Sequence, residues 1–130
     1  MSSAIDASAL LALLFAEPGA EAVVDAIARG AAISAVNLSE VATVLVRHSR
    51  DPEDILVPVR QQLTVEAFTD GDALAAASLY PATASRGLSL GDRACLALAK
   101  RLGATALTAE HAWAELELGI EVRLIRPRAA

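Results

Sequence analysis

Four acidic side chains occupy positions where carboxylates could act together, and they are Asp6, Glu40, Asp92 and Glu110. Each one follows a predicted strand or opens a predicted helix. In an open parallel sheet the strand ends that lead into helices share one edge, and ligands bind in the crevice along it. Because crowded like charges are unfavourable without a counter-cation, the pattern predicts a divalent metal site. Mg²⁺ is the expected ion, since it binds one or two carboxylates, water and a substrate phosphate.

Each of these carboxylates also has a purely structural explanation. An acidic residue in the first turn of a helix satisfies free N–H groups and the positive end of the helix dipole. The segments Asn37-Leu-Ser-Glu40 and Ser89-Leu-Gly-Asp92 both have the spacing of a capping box, with Asn37 as a variant cap. This interpretation places Glu40 in the first turn of its helix. One such residue alone is best explained as a cap, whereas four at one sheet edge favour a metal site.

Other catalytic chemistries have little support in the sequence. It contains no GxGxxG, no P-loop and no CxxC motif. His48 and His111 lack a Ser or Cys partner in a recognisable motif, which argues against a catalytic triad. His111 is interpreted as a surface residue, with substrate contact as the alternative. Cys95 is predicted to lie in the core, and Trp113 is predicted to anchor a short helix.

The elements that position these residues alternate between strand and helix. Strands are predicted at 3–5, 31–34, 63–68, 104–108 and 120–125, and helices at 9–17, 21–30, 37–49, 51–62, 70–84, 88–103 and 110–117. Strands separated by helices require right-handed crossovers and a parallel sheet covered on both faces. We therefore predict an α/β fold, a three-layer α/β/α sandwich with a mostly parallel sheet of about five strands. We expect residues 1–130 to form a single domain.

Composition and charge limit the function further. The chain of 130 residues is 55% hydrophobic and 21% charged, which excludes a disordered protein. Its formal net charge of −5 repels nucleic acid, so a polyanion would need a metal or a local basic rim. The candidates for such a rim, each also explained by surface solubility, are Arg86, Arg93, Lys100 and Arg101. No apolar run reaches the roughly 18 residues of a membrane span. A single cysteine suits a reducing compartment, so we expect a cytoplasmic protein.

Four segments occur in a fixed order along the chain, and they are IDASALLALLFAEPGAE (5–21), ISAVNLSEVATVL (33–45), LSLGDRACLALAKRLGA (88–104) and ALTAEHAWAEL (106–116). This ordered set resembles the PIN domain, specifically the VapC toxins of type II toxin–antitoxin pairs. The resemblance implies an endoribonuclease that depends on Mg²⁺, or Mn²⁺ as a substitute, and cleaves RNA phosphodiester bonds with metal-activated water. It also implies a VapB-like antitoxin as partner, a homodimer and a hetero-oligomer with the antitoxin.

The resemblance also implies roles for the four carboxylates. Asp6 and Asp92 match the two principal metal-binding aspartates of the family, and Ser8 occupies the accompanying hydroxyl position. Glu40 matches the acidic residue of an N-x-x-E segment that begins at Asn37.

At the fourth position this sequence departs from the family pattern. The family usually has Asp in a T-A-D segment, whereas Glu110 follows Thr108-Ala109 in this chain. The extra methylene group keeps the charge but displaces the carboxylate, which leaves the role of Glu110 open. Thr108 is expected to hydrogen-bond a metal-bound water.

Two other classes of protein compete with this interpretation. A receiver-like signalling domain needs an adjacent acidic pair after its first strand and a Lys after its last, but Asp6 stands alone. A haloacid dehalogenase-type phosphatase needs Asp-x-Asp, which Asp6-Ala7-Ser8 does not provide. A catalytically weak PIN-like interaction scaffold is the remaining alternative, and Glu110 is the one feature that favours it.

Overall fold

A five-stranded sheet forms the centre of the protein in a computed structural model that describes residues 2–127. Its strands are β1 (Ser3–Ile5), β2 (Ala31–Ser34), β3 (Thr64–Glu66), β4 (Thr105–Thr108) and β5 (Val122–Leu124). Their order across the sheet is β3-β2-β1-β4-β5, and every neighbouring pair is parallel. The predicted α/β fold with a parallel five-stranded sheet is confirmed.

Helices connect the strands and cover both faces of the sheet. They are α1 (Ala7–Leu14), α2 (Ala20–Arg29), α3 (Ala35–Arg47), α4 (Pro52–Arg60), α5 (Asp70–Ser78), α6 (Tyr80–Thr83) and α7 (Leu90–Leu102). Two 3₁₀ turns span Ala84–Arg86 and His111–Glu115. Across residues 2–127, none of the helices combines the length and the apolar character that a membrane crossing requires.

The strand order creates a switch point at β1. The chain builds outward from β1 to β2 and β3, then returns across the sheet to place β4 on the other side of β1. In open α/β sheets, a crevice forms outside the carboxyl ends of the strands at such a point. The end of β1 is therefore the place where this topology puts a ligand.

Alternate residues of the strands fill two separate cores. Ile5 and Leu107 belong to the cluster on one face of the sheet, and Ala4 and Ala106 belong to the cluster on the other. This alternation follows from the period of two along a strand. The small alanine side chains face α7, whose residues 94–99 are all buried. Cys95 is buried in this second cluster, as predicted, and Trp113 is buried there as well.

Several element boundaries differ from the prediction. The single helix predicted at 70–84 is two helices, because α5 ends at Ser78 and α6 starts at Tyr80. Pro81 has no N–H group to continue the hydrogen bonds of α5, and it fits the first turn of a new helix. The helix predicted at 110–117 is a 3₁₀ turn. The first helix starts at Ala7 rather than residue 9, because Asp6 caps it.

Candidate active site

Asp6 lies at the end of the central strand and is only 2% exposed. It is the N-cap of α1, where its Oδ1 accepts a hydrogen bond of 2.8 Å from the backbone N–H of Ala9. The sequence fixes this position because the chain must change from strand to helix at this residue, and Asp is among the preferred N-caps. A carboxylate is therefore built into the switch point of the sheet.

Two hydroxyl groups hold the Asp6 carboxylate from one side. Ser8 Oγ lies 2.8 Å and 2.9 Å from its two oxygens, and Thr108 Oγ1 donates to Oδ2 at 2.6 Å. Ser8 Oγ accepts from the N–H of Ala109, and Thr108 Oγ1 accepts from the N–H of Glu110, each at 2.9 Å. Each hydroxyl has a single proton, so both protons point at Asp6. Thr108 therefore orients Asp6, and the hydrogen bond to a metal-bound water that the resemblance implies stays a prediction.

Burial raises the pKa of Asp6 from 3.8 to about 6. Hydrogen bonds from Thr108, Ala9 and Ser8 lower this pKa, and the nearby charge of Asp92 raises it further, but the loss of hydration has the largest effect. A cation beside Asp6 would favour its charged form. The site therefore holds a carboxylate whose ionisation is unfavourable in the absence of a positive partner.

Asp92 lies in the first turn of α7 and combines two roles. Its backbone N–H donates to Ser89 Oγ at 3.2 Å, and its Oδ2 accepts from the N–H of Ser89 at 2.9 Å. The predicted capping box is confirmed. Oδ1 of Asp92 has no hydrogen-bond partner among the described residues, so capping leaves one oxygen for another ligand.

Glu40 reaches the same region from α3 but not from the predicted turn. The N-cap of α3 is Ser34, whose Oγ accepts from the N–H of Val36 at 3.2 Å. Asn37 is therefore inside the helix, its prediction as a variant cap is wrong, and Glu40 lies in the second turn. The reason is that Ser34 ends β2 in extended conformation and can cap three residues earlier.

Asn37 links Glu40 to the first turn of α7. Its Nδ2 donates to Glu40 Oε1 at 2.8 Å and to the carbonyl of Gly91 at 3.0 Å, and the side chain is only 1% exposed. Oδ1 of Asn37 is buried and finds no partner within residues 2–127. The amide orientation is set by the two acceptors that face its nitrogen. Asn37 thus positions the Glu40 carboxylate against α7.

Gly91 is a site residue that the sequence analysis missed. A Cβ atom at this position would lie 2.5 Å from Cδ of Glu40, so only glycine leaves room for the carboxylate. Glycine is unfavourable within a helix, and its presence in the segment Ser89-Leu-Gly-Asp92 indicates a close approach by another group. That unfavourable placement is the feature that could have identified it.

One pocket of about 370 Å³ is lined by all four predicted carboxylates, Asp6, Glu40, Asp92 and Glu110, together with Ser8 and Ser89. Glu110 differs from the other three because its side chain is exposed. Its carboxylate makes no hydrogen bond or ion pair with the described part of the chain. The structure therefore brings the four carboxylates together at the carboxyl edge of the sheet, as the sequence predicts.

A sequence model of the PIN domain matches residues 4–118. The chain belongs to the PIN domain family. A comparison with curated protein sequences found no significant match.

Solved structures of several toxin–antitoxin proteins have the same fold as this PIN domain. A toxin–antitoxin complex from Klebsiella pneumoniae has a TM-score of 0.77 at 19% identity, covering 96% of this chain and 98% of that chain. VapBC2 from Rickettsia felis, bound to a DNA fragment from its promoter, has a TM-score of 0.75 at 14% identity, covering 95% and 98%. VapC20 from Mycobacterium tuberculosis, a toxin that cleaves the sarcin-ricin loop, has a TM-score of 0.71 at 18% identity, covering 89% and 97%.

The donor set of this PIN domain suits a hard divalent cation. No three His, Cys or acidic side chains in residues 2–127 stand close enough to form a complete metal site. Mg²⁺ does not need one, because it keeps several waters and uses one or two carboxylates. Asp6 gains a favourable partner, and Asp92 has an unpaired oxygen. These two residues fit the ion best.

The four predicted rim residues do not line the pocket, although Arg93, next to Asp92, lies at the same end of α7 and faces α5. Arg101 binds Asp72 at 2.8 Å and Glu66 at 3.2 Å at the far end of α7, beside Lys100, and Arg86 pairs with Glu115. These cations are near Asp92 in the sequence but not in the folded protein. His111 does not line the pocket, and its Nε2 lies 3.3 Å from the carbonyl of Arg126.

Proposed function

We propose that this PIN domain is the toxin of a type II toxin–antitoxin pair and an endoribonuclease that depends on Mg²⁺, with Mn²⁺ as a substitute. The observation that carries the proposal is the single pocket lined by four carboxylates at the switch point of the sheet. The similarity of the fold to VapBC2 and to VapC20, a toxin that cleaves the sarcin-ricin loop, supports it. The proposal treats residues 1–130 as one nuclease domain.

In this proposal each side chain of the pocket has a defined task. Asp6 and Asp92 hold the cation, and Ser8 and Thr108 keep the Asp6 carboxylate in one orientation. A divalent cation bound there lowers the pKa of water and neutralises charge on the phosphodiester. Glu40, fixed by Asn37, orients the attacking water or binds a second ion.

Glu110, which also lines the pocket, shares this last task. Its side chain is exposed and free to move toward the attacking water or a second ion. Attack of the water on phosphorus displaces the ribose oxygen directly, so no protein side chain becomes covalently attached to RNA. The reaction therefore needs carboxylates in fixed positions and no nucleophilic Ser or Cys, in agreement with the sequence.

The proposed partners are a VapB-like antitoxin, an RNA substrate and a second copy of the chain. A pocket of four carboxylates is a natural receptor for a guanidinium group, which pairs bidentately with carboxylates. We propose that the antitoxin inserts such a group into the pocket and that a homodimer joins it in a hetero-oligomer. A catalytically weak scaffold is the second candidate, because Glu110 replaces the usual aspartate and is held by no other side chain described.

Cleavage of RNA by the purified chain tests the proposal directly. The protein, freed of any antitoxin, should cut a structured RNA in Mg²⁺ or Mn²⁺ and stop when EDTA removes the ion. Gel analysis of labelled RNA measures the rate, and sequencing of the new 5′ ends locates the cut. A scaffold predicts no metal-dependent cleavage of any RNA in a total cellular extract, and that result would contradict the proposal.

Replacement of Gly91 by Ala tests the position of Glu40 without removing a charge. The added Cβ must displace the Glu40 carboxylate, so we expect RNA cleavage to fall about tenfold, the effect of ~1.4 kcal/mol on the barrier. The melting temperature should change little. The preference of a helix for Ala over Gly, ~1 kcal/mol, offsets the cost of displacing the Glu40 carboxylate.

The matched control for this change is Gly71→Ala. Gly71 occupies the same place in the capping box of α5, and a Cβ there would meet only Thr69 Oγ1 at 3.7 Å. That variant should cleave RNA at the wild-type rate. Equal activity of the Gly91 and Gly71 variants would show that the placement of Glu40 is unimportant.

A further inference from the structure

Tyr80 presents an aromatic ring to solvent, unlike the other aromatic side chains of this protein. The sequence has one Trp, one Tyr and two Phe, all within residues 2–127. Trp113 is buried, Phe15 packs against the core and Phe68 is partly buried, whereas Tyr80 is 56% exposed. A single exposed ring is not unusual in itself. Its surroundings are what give it a role.

Arg93 holds the Tyr80 ring in place. The guanidinium carbon lies 5.4 Å from the ring centroid, in the geometry of a cation–π contact. Nη1 of Arg93 donates to the carbonyl of Ala76 at 3.1 Å, near the end of α5. Arg93, which is bound to α5, thus packs over the Tyr80 ring, while more than half of the Tyr80 surface stays exposed to solvent.

The ring lies at the same end of α7 as the pocket. Arg93 follows Asp92 in the sequence, and successive side chains of a helix point about 100° apart. Asp92 therefore faces the pocket while Arg93 faces α5 and α6. The first turn of α7 lies between the carboxylates and Tyr80. A single strand of RNA with one phosphate over the carboxylates would extend across this turn, and its neighbouring bases would lie near the ring.

We propose that Tyr80 is a stacking platform for a nucleobase next to the cleaved phosphate in a single-stranded region of RNA. This inference rests on the proposed nuclease function and specifies how its substrate is held. Unpaired RNA bases stack on aromatic side chains and guanidinium planes, and the interaction tolerates any base because each has a π face. Arg93 also offsets part of the repulsion from a protein with a net charge of −5.

Binding of two oligomers with the same backbone tests the platform without relying on cleavage. The probes are a fluorescein-labelled single-stranded oligo(A) of about 12 nucleotides, within the usual site sizes for single strands, and a stable abasic oligomer of equal length. Fluorescence anisotropy gives the dissociation constants. The assay contains Ca²⁺ in place of Mg²⁺, because Ca²⁺ binds the same kind of oxygen ligands. The variants are Tyr80→Ala and Tyr80→Phe. Leu74→Ala is the control, since Leu74 is 74% exposed on α5 and has no ring.

We expect Tyr80→Ala to weaken oligo(A) binding about tenfold, within the range measured for loss of one base–aromatic stack. Binding of the abasic oligomer should stay within about twofold of wild type, because Tyr80→Ala leaves the charge of the protein unchanged. Tyr80→Phe and Leu74→Ala should bind both oligomers as wild type does. In cleavage assays, Tyr80→Ala should raise KM and leave kcat unchanged.

Two results would overturn the platform. One is an equal loss of affinity for the oligo(A) and the abasic oligomer in Tyr80→Ala, and the other is the same loss in Leu74→Ala. Neither result bears on the carboxylates, which the metal-dependent cleavage assay tests separately. Conversely, a base-dependent loss in Tyr80→Ala together with no cleavage of any RNA would support the platform and contradict the nuclease.

Discussion

Asp92→Asn should reduce RNA cleavage at least about a thousandfold while leaving the fold intact. The change removes one negative charge from the pair that would hold the cation in the proposed site, and such a cation would supply several kcal/mol of stabilisation to the transition state. Each ~1.4 kcal/mol corresponds to a factor of ten in rate. The amide oxygen of Asn can still accept from the N–H of Ser89, so the capping box of α7 survives. Initial rates of cleavage of a labelled RNA at saturating Mg²⁺ measure the effect.

The matched control is Asp72→Asn, the same change at the same helix position. Asp72 is the third residue of α5 and completes a capping box with Thr69, as Asp92 does with Ser89 in α7. It faces Arg101 instead of the pocket, so the variant should lose stability through the weakened ion pair and keep its cleavage rate. If Asp92→Asn cleaves as fast as Asp72→Asn, Asp92 is only a helix cap and our assignment of the metal site is wrong.

The free energy of unfolding of the metal-free protein should fall by about 2.4 kcal/mol between pH 4 and pH 7, most of the effect of a shift of about two pKa units in one group. The pKa of Asp6 is about 6 in the folded state, whereas the ordinary value of 3.8 for a solvated aspartate applies to the unfolded chain. Between these values the folded protein binds more protons than the unfolded chain, so stability decreases as the pH rises. Urea denaturation in EDTA at several pH values measures the slope.

Asp72 does not contribute in this pH range. Burial raises its pKa, but hydrogen bonds from Arg101 and Thr69 and the charge of Arg101 lower it below 3.8 overall. Its stabilising effect is therefore present above pH 3.8 and is lost only as the pH falls through the lower folded value.

Mg²⁺ should reverse the loss at pH 7. At about a hundred times its Kd, an ion that binds only the folded state adds about 2.7 kcal/mol. At pH 4 the same ion should add little, because a proton already occupies Asp6. Asp6→Asn cannot ionise, so it should show neither the slope nor the response to Mg²⁺. A metal-free wild type that is equally stable at pH 4 and pH 7 would contradict this account.

The sequence predicted the sheet and the convergence of the carboxylates because both follow from local patterns repeated along the chain. Short apolar segments alternate with Ala- and Leu-rich helices, and parallel pairing then places every strand end at one edge. The predicted helix boundaries were wrong where the local sequence allows two different boundaries. Ser34 and Asn37 are both good N-caps, and only the end of β2 decides between them. Tyr80-Pro81 similarly divides a helix that has continuous apolar character.

The finer geometry of the site depends on contacts between distant segments, which local patterns do not contain. Gly91 matters because Glu40, far away in the chain, packs against it. The direction of the Thr108 hydroxyl depends on the distant carboxylate of Asp6, to which it donates, and on the backbone N–H of Glu110, from which it accepts. Arg101 lies close to Asp92 in sequence, yet α7 carries it to the opposite end of the helix. Only the folded structure distinguishes residues that are close in space from residues that are close in sequence alone.

The bond between Asp6 and Thr108 joins residues that are 102 positions apart. Because proteins are synthesised from the N-terminus, the first carboxylate of the site emerges long before its partner does. A nascent chain that ends before β4 lacks Thr108 and Glu110 and leaves one side of β1 unpaired. Such a chain has no complete pocket. The proposed site is therefore assembled only after β4 has been synthesised and has paired with β1.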